Sequence, residues 1–184
     1  MEHTYNKINN CPICDNKESK HFISATDHNV SNDSFNITKC LSCGLKYTNP
    51  KIEEKSIGKY YKTDNYISHS DTNKGVINKL YHLIRKHQIN RKEKLISKLS
   101  DKRTLIDIGC GTGTFLNYCK EKKWDVLGLE PDNKTKTYAE KNYNLNIYSS
   151  LKSITDKKVD VVTMWHSLEH VYNLKADLKS IYDL

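Results

Sequence analysis

The chain lacks any apolar run approaching the roughly 18–20 residues that a bilayer span requires, and this excludes a membrane-crossing helix. Its first six residues, Met1–Asn6, carry neither a basic region nor an apolar core, so no signal peptide is expected. The expected location is therefore the cytoplasm, where thiols stay reduced and disulfides are disfavoured. Internal repeats and low-complexity tracts are also missing, which excludes solenoid and array architectures. What remains is a 184-residue chain that is 36% hydrophobic and 28% charged. That composition fits a soluble globular protein with one medium domain and a small satellite.

The net charge of +8 is not spread evenly. Residues 1–73 carry 9 Lys/Arg against 9 Asp/Glu, and residues 104–184 carry 11 against 11. The whole excess lies in residues 74–103, with 10 against 2. A basic helix can face an acidic substrate or nucleic acid. A single aromatic residue, Tyr81, stands among these cations, too few for a stacking platform, so a solvated helix face is the favoured reading.

Three regions follow one another. Residues 1–50 are polar and hold four of the six cysteines, with short β-like runs at Phe35–Thr38 and Leu45–Thr48. Asn49-Pro50 marks a break, and residues 51–73 form a connector containing Tyr60, Tyr61 and Tyr66. These tyrosines are expected to pack the connector onto the core rather than to form a lid. The apolar residues Val76, Ile77, Leu80, Leu83, Ile84, Leu95 and Leu99 fall mostly at three- and four-residue steps and predict an amphipathic helix. From Thr104 onward strands alternate with helices. Strands are expected at Thr104–Ile108, Val126–Glu130, Asn146–Tyr148 and Val159–Met164. Helices are expected over Gly113–Lys122 and Lys134–Tyr143, and a last one from near Asn173 that is still running at Leu184. Such alternation predicts an α/β, Rossmann-like parallel sheet with right-handed crossovers, here incomplete at about four strands.

Cys11-Pro12-Ile13-Cys14 and Cys40-Leu41-Ser42-Cys43 are two C-x-x-C pairs separated by 25 residues. Each pair can present two thiolates from a tight turn, and two such turns complete a closed tetrahedral site. A thioredoxin-type centre would use one pair at a helix start, and a catalytic zinc would keep an open position. Structural zinc held by Cys11, Cys14, Cys40 and Cys43 in a small N-terminal ribbon is the expectation. Gly44 and Asp15 follow the two knuckles, where a positive φ is often needed. Cys110 and Cys119 read as small core residues.

Four features then stand in order. Asp107 is the penultimate residue of the first apolar strand. Gly109, Gly111 and Gly113 form a turn into a helix. Glu130 ends the second strand, 23 residues after Asp107. The fourth strand runs into Met164-Trp165-His166-Ser167-Leu168-Glu169-His170-Val171. Alternate glycines admit a ligand close to the backbone, and a carboxylate at the second strand end can accept from both ribose hydroxyls. The third glycine comes one residue early for the dinucleotide fingerprint, and no lysine follows as a P-loop requires.

Residues 105–113, 127–132 and 160–171 resemble three motifs of the class I S-adenosylmethionine-dependent methyltransferases, the last in the form found in their small-molecule branch. The resemblance covers about residues 104–184. The N-terminal knuckle and tyrosine-containing connector resemble a bacterial subset associated with sugar or surface-polysaccharide modification. The resemblance implies strand order 3-2-1-4 for the part present. It implies that Gly109, Gly111 and Gly113 approach the methionine moiety, that Asp107 orders the turn and its ammonium or carboxylate contacts, that Glu130 holds the ribose, and that Trp165 and His166 lie beside the sulfonium. Tyr148–Leu151 offers no acid for the adenine amine.

His166 and His170 are the candidate general bases, each equally well read as structural. His166–His170 also matches H-x-x-E-H, but it follows a buried strand directly instead of lying on a long helix, and it reads as a chance match to a protease motif. Elements beyond strand four are expected to be missing, so a truncated or partner-completed enzyme with impaired activity is one form this takes. The expected acceptor is a small molecule or sugar, with no nucleic acid and no membrane as partner. A rival from another class is a non-catalytic zinc-ribbon module that uses the basic helix to bind nucleic acid or an acidic partner.

Overall fold

The computed structural model describes residues 5–28, 30–57, 76–154 and 157–184. The tyrosines Tyr60, Tyr61 and Tyr66 lie outside the described residues. The chain divides into two compact units, one comprising Met1–Asp71 with Tyr172–Lys175 and the other Thr72–Val171 with Ala176–Leu184.

The N-terminal unit is built from antiparallel strands. β1 (Tyr5–Asn6) pairs with β5 (Lys51–Ile52), and β2 (Ser19–Thr26), β3 (Ser34–Cys40) and β4 (Lys46–Thr48) form a three-stranded sheet in that order. The predicted run Phe35–Thr38 falls within β3, and Leu45–Thr48 overlaps β4 except at Leu45, which precedes it. A short helix, α1 (Glu54–Ile57), follows β5. Every residue of β2 is exposed, and among the described residues of 5–57 only Cys11, Cys40 and Ile52 are buried. This sheet therefore has almost no apolar core of its own.

The second unit is α/β. Its elements are α2 (Val76–Ile96), β6 (Thr104–Ile108), α3 (Thr114–Glu121), β7 (Asp125–Leu129), α4 (Asn133–Tyr143), β8 (Asn146–Tyr148), β9 (Val161–Thr163) and α5 (Leu174–Tyr182). All four strands are parallel, in the order β8-β7-β6-β9, which is the predicted 3-2-1-4 arrangement. The first predicted strand matches β6 at both ends, and the third matches β8. The fourth is shorter than expected, because Val159 and Asp160 approach it as coil. The final helix stops at Tyr182 rather than running through Leu184.

The alternation along β6 separates two layers. Leu105 joins Phe115, Leu116 and Cys119 of α3, Ala139 of α4 and Ile96 of α2 in one core cluster. Ile106 and Ile108 join Leu129, Ile154 and, from α5, Ile181 in the other. Asp107 shares the parity of Leu105, so its side chain lies on the α2/α3 side of the sheet. Cys110 and Cys119 are buried core residues, as expected.

Val76, Ile77 and Leu80 of the predicted apolar stripe lie outside the residues whose side chains are described, and the rest of the stripe is not the buried face of α2. Leu83, Ile84, Leu95 and Leu99 are exposed. The face turned inward carries Ile89, Glu93 and Ile96. Buried Glu93 replaces an apolar contact with hydrogen bonds. It accepts from Trp124 Nε1 at 3.1 Å and from Ser97 Oγ at 2.7 Å, with Arg103 Nη1 3.9 Å away. A periodicity count sees only the apolar members of such a face.

Candidate functional site

Two knuckles form the first candidate site. Cys11 N–H donates to Asn16 O and Asp15 N–H to Cys11 O, and the second turn repeats both bonds as Cys40 N–H to Leu45 O and Gly44 N–H to Cys40 O. The matching φ values are 58° at Asp15 and 77° at Gly44, the left-handed conformation expected after each pair. All four Sγ atoms lie within 4.8 Å of one another, with Cys11–Cys43 at 3.5 Å and Cys14–Cys40 at 3.6 Å. Zn–S bonds of about 2.3 Å would put tetrahedral sulfurs about 3.8 Å apart, so the donor set fits that metal. The Asn16 backbone N–H and the neighbouring thiols hold Cys14 down to about 6. Cys43 is pushed up to about 12, because neighbouring Cys14 and the other thiols outweigh a favourable Leu45 N–H. Four thiols this close cannot all ionise without a cation among them.

The second site lies at the carboxyl ends of β6, β7 and β9. Gly109 N–H and Cys110 N–H both donate to Leu129 O, at 2.8 and 3.0 Å, tying the bend to the end of β7. Gly109 has φ 74°, and a Cβ there would sit 2.6 Å from Ser167 Cβ. Ser167 Oγ donates to Ile108 O at 2.6 Å, so the segment after β9 is pinned onto the bend in space a side chain would fill. Gly111 differs. Its φ is 56°, yet a Cβ would meet nothing within 4 Å. The bend opens there, and the open space lies beside Glu130.

Glu130 is the keystone of this arrangement. Its Oε2 accepts from Gly111 N–H at 2.9 Å and its Oε1 from Asp132 N–H at 2.9 Å. A carboxylate has about four acceptor positions, so roughly two remain for a ligand. Asp132 in turn caps α4 by accepting from Thr135 N–H at 2.8 Å.

Asp107 is 3% exposed. Its Oδ1 accepts from Thr163 Oγ1 at 2.6 Å. Burial pushes its carboxyl up to about 7, against the opposing pull of Thr163 and of Lys92. Trp165 packs edge-on against Phe115, with ring centroids 6.0 Å apart, and its Nε1 is buried with no acceptor among the described residues. Lys92 Nζ sits 4.6 Å over the Trp165 ring.

The structure thus gathers Asp107, Gly109, Gly111, Gly113 and Glu130 at one bend, with Trp165 on the segment after β9. His166 follows, exposed and with φ 57°, and His170 is exposed at the end of a 3-10 turn over Leu168–His170. Among the described residues the four cysteines are the only cluster able to hold a metal, so His166, Glu169 and His170 do not converge. Sequence reasoning missed Lys92, Thr163 and Ser167. Ile89, Lys92 and Ile96 follow three- and four-residue steps on α2, and that spacing was the available signal for Lys92.

Over 92 residues the chain is 28% identical to protein 235L of Invertebrate iridescent virus 6, named as a candidate methyltransferase; the match covers 47% of this chain and 35% of that protein. Among solved structures, a SAM-dependent methyltransferase from Archaeoglobus fulgidus is 30% identical, with 53% of this chain and 47% of that one covered and a TM-score of 0.43. CalS10, an amino pentose methyltransferase from Micromonospora echinaspora, is 17% identical, with 56% and 50% covered and a TM-score of 0.47. The chain therefore spans about a third of the curated relative and half or less of these structures. The methyltransferase domain family matches residues 81–184, from within α2 through the whole parallel sheet, and the chain belongs to that family.

Proposed function

We propose that this chain binds S-adenosylmethionine over the Gly109–Gly113 bend and takes part in methyl transfer to a small-molecule or sugar-type acceptor. The observation that carries the reading is the Glu130 carboxylate, held at the open Gly111 by a 2.9 Å bond with acceptor positions to spare. Two neighbouring hydroxyls on a ribose are the natural donors to those positions. The orphaned Trp165 N–H and the open space at Gly111 are further signs of a cradle that fits an adenosyl ligand.

When bound, the sulfonium supplies an electrophilic methyl group, and transfer is governed by placement of the acceptor. Glu130 holds the ribose. Asp107, next to the bend, orders it and offers an acceptor toward the ammonium. Trp165 walls the sulfonium side. A base is needed when the acceptor is a hydroxyl, and His166 and His170 are the proposed groups. The sugar-type acceptor rests on the resemblance of the N-terminal region to enzymes of that kind. The proposed organisation is a zinc-binding ribbon over 1–50, a connector and basic helix over 51–103, and a cofactor-binding part over 104–184. The family match begins at residue 81, within the basic helix, which supports grouping most of that helix with the last part.

Calorimetric titration tests the reading. The folded wild type is expected to bind S-adenosylmethionine, and Glu130→Ala to weaken binding by about tenfold or more. A folded wild type that does not bind overturns it.

A further inference from the structure

The outward face of α2 serves neither the sheet nor the cofactor bend, yet it holds cations and exposed apolar residues together. Ile84 and Leu95, with Leu99 on the turn that extends the helix, are each more than half exposed. Arg91, Lys94 and Lys98 are exposed beside them. Ile84, Arg91, Leu95 and Leu99 follow one another at steps of seven, four and four residues, so they form one row about 20 Å long. Lys94 and Lys98 flank that row.

Charge on this helix is sorted by face. Glu93 is the one acid of α2, and it is buried, accepting from Trp124 and Ser97. Among the described residues Arg91, Lys94 and Lys98 form no ion pair. Like charges four residues apart, as at Lys94 and Lys98, disfavour a helix in water, and a helix facing only water is better served by mixed signs. An anionic partner reverses the sign of that interaction, and an apolar boundary turns the exposed Ile and Leu from a cost into a gain.

We propose that this face of α2 binds an anionic lipid surface, with Arg91, Lys94 and Lys98 among the phosphates and Ile84, Leu95 and Leu99 entering the headgroup boundary. Helices that lie in a membrane interface combine these two contributions. The opposite face keeps α2 docked on the α/β unit, so the helix lies along the membrane. No helix among the described residues is long and apolar enough to cross one. The expectation of no membrane partner rested on the lack of a spanning run, which surface binding does not need. A nucleic acid accounts for the cations but not for the apolar row, and no Phe, Tyr or Trp lies between Leu83 and Leu99 to stack on a base. The proposal is independent of the cofactor reading.

Co-sedimentation of the full chain with vesicles tests it. One set of vesicles is phosphatidylcholine, and the other is equal parts phosphatidylcholine and phosphatidylglycerol. The wild type is compared with Lys94→Gln/Lys98→Gln and with Leu95→Ser/Leu99→Ser, and unchanged far-UV circular dichroism shows that each variant is folded. The single variants Lys98→Gln and Leu99→Ser lie beyond the end of α2 and repeat each comparison without altering the helix. The wild type is expected to bind the anionic vesicles at least about tenfold more tightly than the neutral ones, and each double variant to lose about tenfold of that affinity. A wild type that binds neither set, or both equally, overturns the proposal. So does a leucine variant that binds the anionic vesicles as the wild type does; retention of single-stranded RNA by that variant then assigns the face to nucleic acid. A wild-type dimer in sedimentation velocity that Leu95→Ser/Leu99→Ser converts to monomer assigns the face to a second copy and overturns the proposal as well.

Discussion

At the scale of single residues, Asp107 has the most to lose. It is buried with one hydroxyl donor, and burial lifts its carboxyl from 3.8 to about 7. The folded chain therefore keeps this proton over a range in which the unfolded chain has released it. Stability from this group is fully present below the unfolded value and is lost as pH rises toward the folded one. Asp107→Asn removes the dependence while preserving an oxygen for Thr163 Oγ1. The variant is expected to be more stable than the wild type at pH 8, by about 2–4 kcal/mol, and to match it near pH 4. Urea unfolding followed by circular dichroism across that range checks the prediction; identical pH profiles would contradict it. A destabilising acid at this position is the kind of local conflict that marks a binding site. Glycine spacing pointed to the bend, but the steric need at Gly109 emerged only from Ser167, 58 residues further along the chain, and that at Gly113 only from Leu145 and Ala139, while Gly111 opens onto space.

At the scale of elements, α2 carries the contrast between pattern and packing. The run Leu83, Ile84, Leu95, Leu99 suggested a buried stripe, yet these residues face outward and Glu93 faces inward. Trp124, just before β7, decides this. It is 3% exposed, and its indole N–H requires an acceptor, which α2 supplies. Tyr118 of α3 adds a second tie by donating to Asn90 Oδ1 at 3.2 Å, and Arg85 donates to Thr114 Oγ1 at 2.9 Å. The helix is thus docked by polar bonds around a small apolar contact. Glu93→Ala is expected to cost about 2–3 kcal/mol, because it leaves Trp124 Nε1 buried without its acceptor. Glu93→Gln keeps an acceptor and is expected to cost about 1 kcal/mol. Equal denaturation midpoints for the two variants would show that the bond to Trp124 carries no weight. Polar faces of this kind have no apolar period to detect, so hydrophobic spacing overlooked the helix surface that matters.

At the scale of the whole molecule, the two units differ in what can hold them together. The α/β unit has two apolar layers around its sheet. The N-terminal unit has Cys11, Cys40 and Ile52 as its only buried residues among those described in 5–57. A sheet so poor in apolar burial needs a staple, and a four-thiolate metal site supplies folding free energy directly. We expect a strong chelator, or Cys40→Ser, to abolish amide-exchange protection in β2, β3 and β4. Release of one zinc equivalent should accompany the chelator-induced loss, measured with a chromogenic indicator. Protection that survives complete metal removal would refute the proposed zinc role.

The sequence by itself determined the alternation of strands and helices after Thr104, the strand–turn–helix unit with its glycines, and the paired thiol knuckles. Each of these is local: a short apolar run, a positive-φ turn or a C-x-x-C spacing depends on residues within a few positions of one another. The tertiary structure alone decided the rest. Gly111 N–H reaches Glu130, Thr163 reaches Asp107, Ser167 reaches Ile108, and Lys92 comes to rest over Trp165. The last three of these contacts join residues 56 to 73 positions apart. No local pattern encodes such pairings, because the closing of the sheet and the docking of α2 bring the partners together.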